Sequence, residues 1–420
     1  MLATGTVSPD RVTGRILMIV ENLPVPFDRR VWQEATALRE AGYEVSVICP
    51  KGKGYQKSQE TMDGIHIYRH PLLFEGTGLF GFAVEYATAL SFELFLSLRV
   101  LRRHGFDIIH ACNPPDLIFL IALFHKVLFG KKFLFDQHDI SPELFEVKFG
   151  RKGVVHRVLK FLERCTFRLA DGSLATSETL KERAVVSGNM PEDRVWVVRS
   201  FPDLHRFKRL APDPSLRRAH QHLVGYVGIM AEQDGVELLV LAMEHAVKKL
   251  GRQDIGCVVV GDGPEFDRLR ALTLKLGLQD NVQFTGYLSG DAFLSALSSF
   301  DIGVIPDPSN VCNDKLSMNK VFEYMALGIP FVQFDLKQAR MDSGDAALVV
   351  PDQTPEGLGE SIVELLGDEE RRARMSAYAM ERAKREFQWS NEKHSLLRAY
   401  STLLPQQSST EMKPIRVSLQ

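Results

Sequence analysis

Short apolar runs alternate with longer stretches of helical periodicity along nearly the whole chain. Arg15–Val20 is a compact apolar run, followed by a proline-containing loop and a helical pattern from Arg30 through Ala41 that Gly42 closes. Glu44–Cys49, Ile65–Tyr68 and Asp107–His110 read as further strands, the last after a long helical window ending near His104. Phe133–Asp136 and Gly172–Ala175 continue the alternation, and Val195–Val198 closes the first half. Pro202, Pro212 and Pro214 then interrupt regular structure, which puts a boundary within Phe201–Leu210. The pattern restarts with strand Leu223–Val227, helix Val236–Leu250, strand Gly256–Val260 and helix Glu265–Leu276. Strand Val282–Thr285, helix Asp291–Ser299 and strand Ile302–Ile305 follow, then a short helical stretch and the strands Phe331–Phe334 and Ala346–Val350. Helices over 356–366, 369–387 and 391–404 end the pattern.

Strands alternating with helices imply parallel pairing through right-handed crossovers. The repeat of the pattern predicts an α/β fold of two tandem Rossmann-like, doubly wound parallel-sheet domains facing across a cleft. The first domain is expected over 1–205 and the second over 206–390, followed by a terminal helix over 391–404 and a polar, mobile tail over 405–420.

Composition narrows the partners. At 420 residues the chain suits two domains of about 200 residues each. With 45% apolar and 25% charged residues it has a soluble globular composition, and 51 basic against 53 acidic residues give no bias toward nucleic acid. Its five cysteines are scattered singly, without zinc or disulfide spacing, which suits a reducing, cytoplasmic setting. Met1–Thr13 lacks the apolar core of a signal peptide. Leu79–Leu101 is broken by Glu85 and Glu93 and Leu117–Phe129 is too short, so no transmembrane span is expected.

Candidate chemistry concentrates at strand ends. In Ser317–Pro330, Ser317 is placed to cap a short helix that Gly328 and Pro330 stop, and Asn319, Lys320 and Glu323 fall on one side of it. That side suits a ligand with phosphates and hydroxyls; an ordinary surface Lys/Glu pair has the same spacing. Gly225–Gly235 links a strand to a helix with three glycines, Gly228 among them, and Gly261-Asp-Gly263-Pro repeats the device one strand later. With Lys320 and Glu323 these loops suit a nucleoside diphosphate, amides and ammonium on the phosphates and carboxylate on the ribose. In the first half, Asp28, Arg29 and Arg30 follow the first strand without any G-x-G-x-x-G, which weighs against an oxidoreductase; they bind substrate or cap the next helix. His110, His138, Asp139 and Glu143 are expected along the same sheet edge, where a histidine among carboxylates orients hydroxyls and moves protons near neutral pH. Read as metal ligands, they lack a distinct spacing.

These motifs resemble the retaining, family-4 type glycosyltransferases of two-domain GT-B architecture, over about Arg15 to Tyr400. The resemblance rests on Asp28-Arg-Arg-Val-Trp-Gln-Glu34, His138-Asp139 with Pro142-Glu143, Gly261-Asp-Gly-Pro264, and Asn319-Lys320 with Glu323-Tyr-Met-Ala-x-Gly-x-Pro330. The likeness extends to enzymes that build bacterial exopolysaccharides, capsules or O-antigens. It implies that Glu323 binds the ribose, Lys320 the phosphates, the Gly261 loop the base or ribose, and His138 the transferring sugar. His138, Asp139 and Lys320 become the candidate catalytic residues, and Gly228, Gln233, Asp234, Gly261, Gly263, Lys315, Asn319, Lys320 and Glu323 the candidate donor contacts. Asp28, Arg29, Arg30 and Glu143 are the candidate acceptor contacts. The resemblance also implies metal-independent transfer with no cofactor and a terminal helix that crosses back to the first domain. Two positions depart from the family pattern. Lys315 stands where a second Glu is expected, eight residues before Glu323, and an Arg and a Lys of the loop after the first strand of the second domain are replaced near Met230 and Asp234. Lys315 is expected to supply positive charge to the donor.

The acceptor is expected to be a saccharide or a lipid-linked saccharide. Lys148, Arg151, Lys152, Arg157, Lys160, Arg164 and Arg168 alternate with Val154, Val155, Val158, Leu159, Phe161, Leu162 and Phe167, a basic amphipathic helix that suits an anionic membrane surface at the inner face of the cell membrane. A solvated helix with its apolar face on the sheet fits the same pattern. Two other functions remain open: a sugar-nucleotide epimerase of the same architecture, and an inactive sugar-nucleotide-binding assembly subunit.

Overall fold

A computed structural model of the chain describes residues 13–72, 78–114, 116–150 and 153–404. The polar stretch before Thr13, the tail 405–420, and Arg151 and Lys152 of the basic segment lie outside them. The first sheet contains β1 (Gly14–Ile19), β2 (Tyr43–Pro50), β3 (Gln59–Met62), β4 (Ile65–His70), β5 (Ile108–Cys112), β6 (Lys132–Gln137), β7 (Gly172–Ala175) and β8 (Val195–Val197), in the order β3-β4-β2-β1-β5-β6-β7-β8. Between them run α1 (Arg29–Glu40), α2 (Gly78–Arg103), α3 (Phe119–Phe129), α4 (Ser141–Phe149), α5 (Val154–Leu169) and α6 (Glu178–Val186). After the short α7 (Pro214–Arg217), the second sheet orders β9 (His222–Val227), β10 (Ile255–Val260), β11 (Val282–Gly286), β12 (Ile302–Ile305), β13 (Phe331–Phe334) and β14 (Ala347–Val350) as β11-β10-β9-β12-β13-β14, all parallel. Its helices are α8 (Val236–Glu244), α9 (Phe266–Lys275), α10 (Gly290–Ser298), α11 (Asn319–Ala326), α12 (Lys337–Ser343), α13 (Pro355–Gly367) and α14 (Glu369–Glu386), and α15 (Trp389–Leu403) ends the fold.

Both sheets are doubly wound, so each has a switch point where strand order reverses: β1 beside β5, and β9 beside β12. Loops diverge there and leave a crevice at the carboxyl ends of the strands. The Val/Ile-rich central strands are buried on both faces, which is why they read as continuous apolar runs. β3 breaks the pattern. Gln59-Glu-Thr-Met62 is polar, pairs antiparallel with β4 at the sheet edge through a turn at Asp63 and Gly64, and carries no hydrophobic alternation from which to predict it.

One packing detail fixes the short helix of the candidate site. Gly303 on β12 carries no side chain because the Tyr324 ring lies on it; a Cβ there would sit 2.6 Å from that ring. The Tyr324 hydroxyl donates to the Gly225 carbonyl at 3.1 Å, so α11 is pinned to β9 and β12 together. The helix starts at Asn319 with Met318 at the cap position and no side-chain cap, one residue later than a Ser317 cap requires. Gly328 ends it in the left-handed conformation (φ 60°).

The chain crosses between domains twice. Phe201 already packs edge-on to Phe322 and against Phe387 in the second core, so the first crossing ends before it. After Phe387, α15 returns: Leu396, Ala399, Tyr400 and Leu403 join the core that β1, β2 and α1 form. Lys393 pairs with Glu40 at 2.7 Å, and Glu392 accepts from the Arg199 amide at 2.8 Å. His110 lies in the middle of β5, fully buried, with Nδ1 2.7 Å from the Tyr400 hydroxyl; it is part of the seam that holds α15 and not a cleft residue. Tyr400→Phe removes that hydroxyl from a buried histidine and should lower stability by about 1–3 kcal/mol. Urea denaturation checks this as a lower midpoint at unchanged slope.

Candidate active site

The carboxyl edge of the second sheet is built by close approach of three loops, and glycine is required at each contact. A Cβ on Gly261 (φ 139°) would lie 1.9 Å from the Gly228 carbonyl oxygen, and one on Gly263 2.5 Å from that of Met230. Gly235 (φ 65°) packs against Pro306 in the same manner. Gly261, Gly263 and Gly235 therefore serve loop-on-loop packing in the first instance, which brings the ends of β9, β10 and β12 to one place, while a Cβ on Gly228 (φ 151°) would meet the Tyr226 hydroxyl of its own strand at 2.9 Å.

Lys320 stands behind those loops. Its buried ammonium donates to both carboxylate oxygens of Asp307, at 3.0 and 2.7 Å, and lies 4.8 Å from the Tyr226 ring centroid. Burial opposes its charge, but Asp307 and Asp234 outweigh this and hold its pKa above the usual value. Asp234 is pushed up to about 6, mainly by burial with Asp307 adding, while Lys320 pulls it down. Its carboxylate accepts from the Ala231 amide at 3.0 Å and shapes the loop. Lys320 is thus already paired, and neither Asp307 nor Tyr226 was singled out from the sequence; the only cue for Asp307 is its place two residues after β12. Gln233 gives its carbonyl to Asn313 at 2.9 Å. Asn319, three residues before Phe322 and next to Lys320, is exposed at the first turn of α11.

Glu323 lies one turn further along α11 and is 8% exposed. Burial raises its pKa, and Arg29 of the first domain opposes the rise with a 3.1 Å ion pair. The Arg29 side chain is 65% exposed and also lies over the Phe293 ring at 5.1 Å. An ion pair whose cation is that exposed contributes little stability and is easily exchanged for another partner. The Phe27 and Tyr287 rings meet beside it at 4.8 Å, again one from each domain.

On the first domain, Asp28, Arg29 and Arg30 have three different tasks. Asp28 caps α1 through the Val31 amide at 3.1 Å. Arg29 crosses the cleft. Arg30 turns inward, 9% exposed, donating to Asp136 at 3.1 and 2.7 Å, to the Val198 carbonyl at 2.8 Å and to Ser200 at 3.2 Å, with Glu34 at 3.0 Å. Arg30 is therefore an anchor and not an acceptor contact, because every direction its guanidinium offers is taken inside the domain. His138 Nε2 is 2.5 Å from Asp136 Oδ2. Burial lowers the His138 pKa, but Asp136 more than offsets this and raises it overall. Asp136 itself would be raised by burial; Arg30 and His138 hold it well below the usual carboxylate range. Asp139 is pushed up by burial, with His138 opposing.

Glu143 accepts from Arg183 at 2.6 and 2.9 Å, and Lys315 of the second domain donates to it at 3.1 Å. Lys315 is therefore directed at the opposite domain and not at the second-domain loops, and Glu143 is a bridge between domains and not a free acceptor ligand. Cys312 and Leu316 pack against the first-domain core on either side of that bridge. Among the described residues, His110, Cys112 and Asp136 approach one another closely enough for a metal, but Arg30 and His138 already occupy Asp136, and burial raises the Cys112 thiol well above its usual pKa.

Comparison with known proteins gives the family. A model described as Glycosyltransferase Family 4 matches residues 28–206, and one described as Glycosyl transferases group 1 matches residues 221–368. The chain is 28% identical over 244 residues to an alpha-D-kanosaminyltransferase of Streptomyces kanamyceticus, covering 54% of this chain and 59% of that protein. It is 31% identical over 199 residues to the lipopolysaccharide core biosynthesis glycosyltransferase LpsD of Rhizobium meliloti, covering 45% and 54% respectively. The match thus spans little more than half the length of either relative. Sucrose-phosphate synthase from Thermosynechococcus elongatus shares the fold, with a TM-score of 0.74 at 19% identity over 93% of this chain and 99% of that one.

The His138–Asp136 pair gives a signed pH dependence. A histidine whose folded pKa is raised contributes fully below the ordinary value near 6.5 and less as pH rises through the raised value. His138→Gln should cost roughly 1–3 kcal/mol at about pH 6 and distinctly less at about pH 9. Urea unfolding across that range checks it, and a deficit independent of pH would contradict it.

Proposed function

Because the chain belongs to the family 4, group 1 glycosyltransferases, we propose that it moves a sugar from a nucleotide-sugar donor to a hydroxyl of a saccharide or lipid-linked saccharide, with retention at the anomeric carbon, in building a bacterial surface polysaccharide. The observation that carries the reading is Glu323: a buried carboxylate at the cleft face of α11, its pKa raised by burial, whose cross-cleft partner is the exposed Arg29. A ribose diol donates two hydroxyls to one carboxylate and takes the place of that guanidinium with little loss. Gly228 and Gly261 then lie under the diphosphate, where loop amides and a helix N-terminus favour negative charge. Lys320 passes one of its two Asp307 contacts to the diphosphate as charge builds there.

In the transfer, the bond between the anomeric carbon and the diphosphate oxygen breaks, and the acceptor oxygen bonds to the same face. The acceptor proton goes to the departing diphosphate oxygen. His138 and Asp139 orient the sugar hydroxyls from the opposite wall. No metal is required in this scheme, so turnover measured at room temperature should persist in EDTA. The LpsD likeness supports the surface-polysaccharide assignment.

A membrane-bound acceptor is supported by one outer face of the first domain. Along α5, Val154, Val158 and Phe161 are exposed together with Arg157, Lys160, Arg164 and Arg168, while His156, Glu163, Thr166 and Phe167 face inward. On α3, which packs against α5, Leu120, Val127 and Leu128 are exposed as well. Apolar side chains among cations suit the headgroup region of an anionic bilayer, and no helix of the described residues is long and apolar enough to cross one.

Three measurements test this. In a thermal-shift panel of UDP-, GDP-, ADP- and CMP-sugars, one nucleotide class should raise Tm selectively; no shift with any of them would count against the reading. Glu323→Gln should raise the donor KM by about 10–100-fold, the loss of roughly 1.5–3 kcal/mol for hydrogen bonds to a charged group. Flotation with anionic liposomes should carry the chain upward, and a Val158→Asp/Phe161→Asp variant should stay behind.

A further inference from the structure

At the end of the first sheet opposite the cleft, the starts of β2 and β4 and the end of α2 bring together Glu44, His66 and His104. His104 Nδ1 lies 3.3 Å from Glu44 Oε1, and His66 Nε2 lies 3.9 Å from the same oxygen. The two rings stack face to face, with centroids 4.1 Å apart and planes inclined by 20°. All three side chains are half-buried and open to water.

The far atom of each group is held. Thr61 Oγ1 is 3.1 Å from His66 Nδ1, and the Tyr68 hydroxyl is 2.8 Å from His104 Nε2. Arg15 Nε donates to Glu44 Oε2 at 3.3 Å. Each ring can therefore keep its proton on the nitrogen facing a hydroxyl and leave a lone pair on the other. Orientation of the ligating nitrogen by a hydrogen bond at its opposite one is how metal-binding histidines are held.

We propose that Glu44 Oε1, His66 Nε2 and His104 Nδ1 form a site for one divalent transition-metal ion of the zinc class, with water completing its coordination. Bonds of about 2.0–2.2 Å in a tetrahedral arrangement need ligand atoms about 3.3–3.6 Å apart. The Glu44–His104 distance already meets this; His66 closes from 3.9 Å and turns its ring out of the stack so that its lone pair and that of His104 meet at one ion. Two imidazoles and one carboxylate favour zinc and its neighbours over calcium or magnesium, which take oxygen ligands. Arg15 occupies only the outer oxygen of Glu44. Because these residues sit at the amino ends of β2 and β4, the ion would tie α2 to the sheet edge, and its effect falls on stability and not on turnover.

The test uses the full chain, stripped with a chelator, dialysed, and loaded separately with ZnCl2, CoCl2 and MgCl2. One zinc per chain should survive gel filtration and raise Tm, and magnesium should do neither. Cobalt should give weak visible bands without a thiolate charge-transfer band, which distinguishes this site from any binding at Cys112. His66→Gln and His104→Asn should abolish retention while circular dichroism of the metal-free variants matches the metal-free parent, and Thr61→Val should weaken affinity about tenfold. No retained zinc, retention unchanged in both histidine variants, or a thiolate band that Cys112→Ser removes would each overturn the proposal. If one histidine variant fails to fold, the other decides.

Discussion

The ion pair between Arg30 and Asp136 is the contact on which the first domain's cleft wall depends. Both groups are buried, and a charge in that position is tolerable only if its partner and every remaining hydrogen bond are supplied. Asp136 is the penultimate residue of β6, Arg30 the second of α1, and the guanidinium also reaches the Val198 carbonyl at the exit of β8. Through Asp136 the network continues to His138 and His110, and from His110 to Tyr400 on the terminal helix. One buried charge thus ties together the start of α1, the end of β6, the exit toward the second domain and the helix that returns from it. The neighbouring residue, Arg29, is aimed outward by the same turn of helix.

On the other side of the cleft the constraint is steric. The loops after β9, β10 and β12 approach so closely that Gly235, Gly261 and Gly263 cannot carry side chains, and the Tyr324 ring needs Gly303 beneath it. Those contacts fix α11, and α11 fixes Lys320 and Glu323. The two residues then differ in how they are held: Lys320 is satisfied inside its own domain by Asp307, whereas Glu323 finds its partner in the other domain. Among the contacts that span the cleft are Arg29 to Glu323, Lys315 to Glu143, Thr179 to Gln338, and the Phe27 and Tyr287 rings. The family's expected Glu is replaced by Lys315, and the replacement meets a carboxylate that Arg183 already holds in place.

Much of the fold was legible in the sequence because parallel strands buried on both faces are continuous apolar runs and are hard to mistake. β3 was not, since an edge strand of three polar residues and one methionine has no apolar alternation. The donor side could be found from glycines and from the helical spacing of Lys320 and Glu323, but not their partners: Asp307 and Arg29 lie 13 and 294 positions away from Lys320 and Glu323. Local spacing holds no information about such contacts. The same limit explains Arg30 and His110, which read as cleft residues from their place near strand ends. Whether a side chain at a strand end turns inward depends on a distant acceptor, here Asp136 for Arg30 and Tyr400 for His110.

The central claim is that the buried carboxylate of Glu323 exchanges an arginine from the opposite domain for the ribose of a nucleotide sugar. Its most direct test is a crystal structure of the chain with the nucleoside diphosphate of the donor class it binds. The account predicts both ribose hydroxyls within hydrogen-bond distance of Glu323, about 2.6–3.2 Å, with the Arg29 guanidinium displaced from it. A ribose bound elsewhere, with the Arg29–Glu323 pair intact, would contradict it.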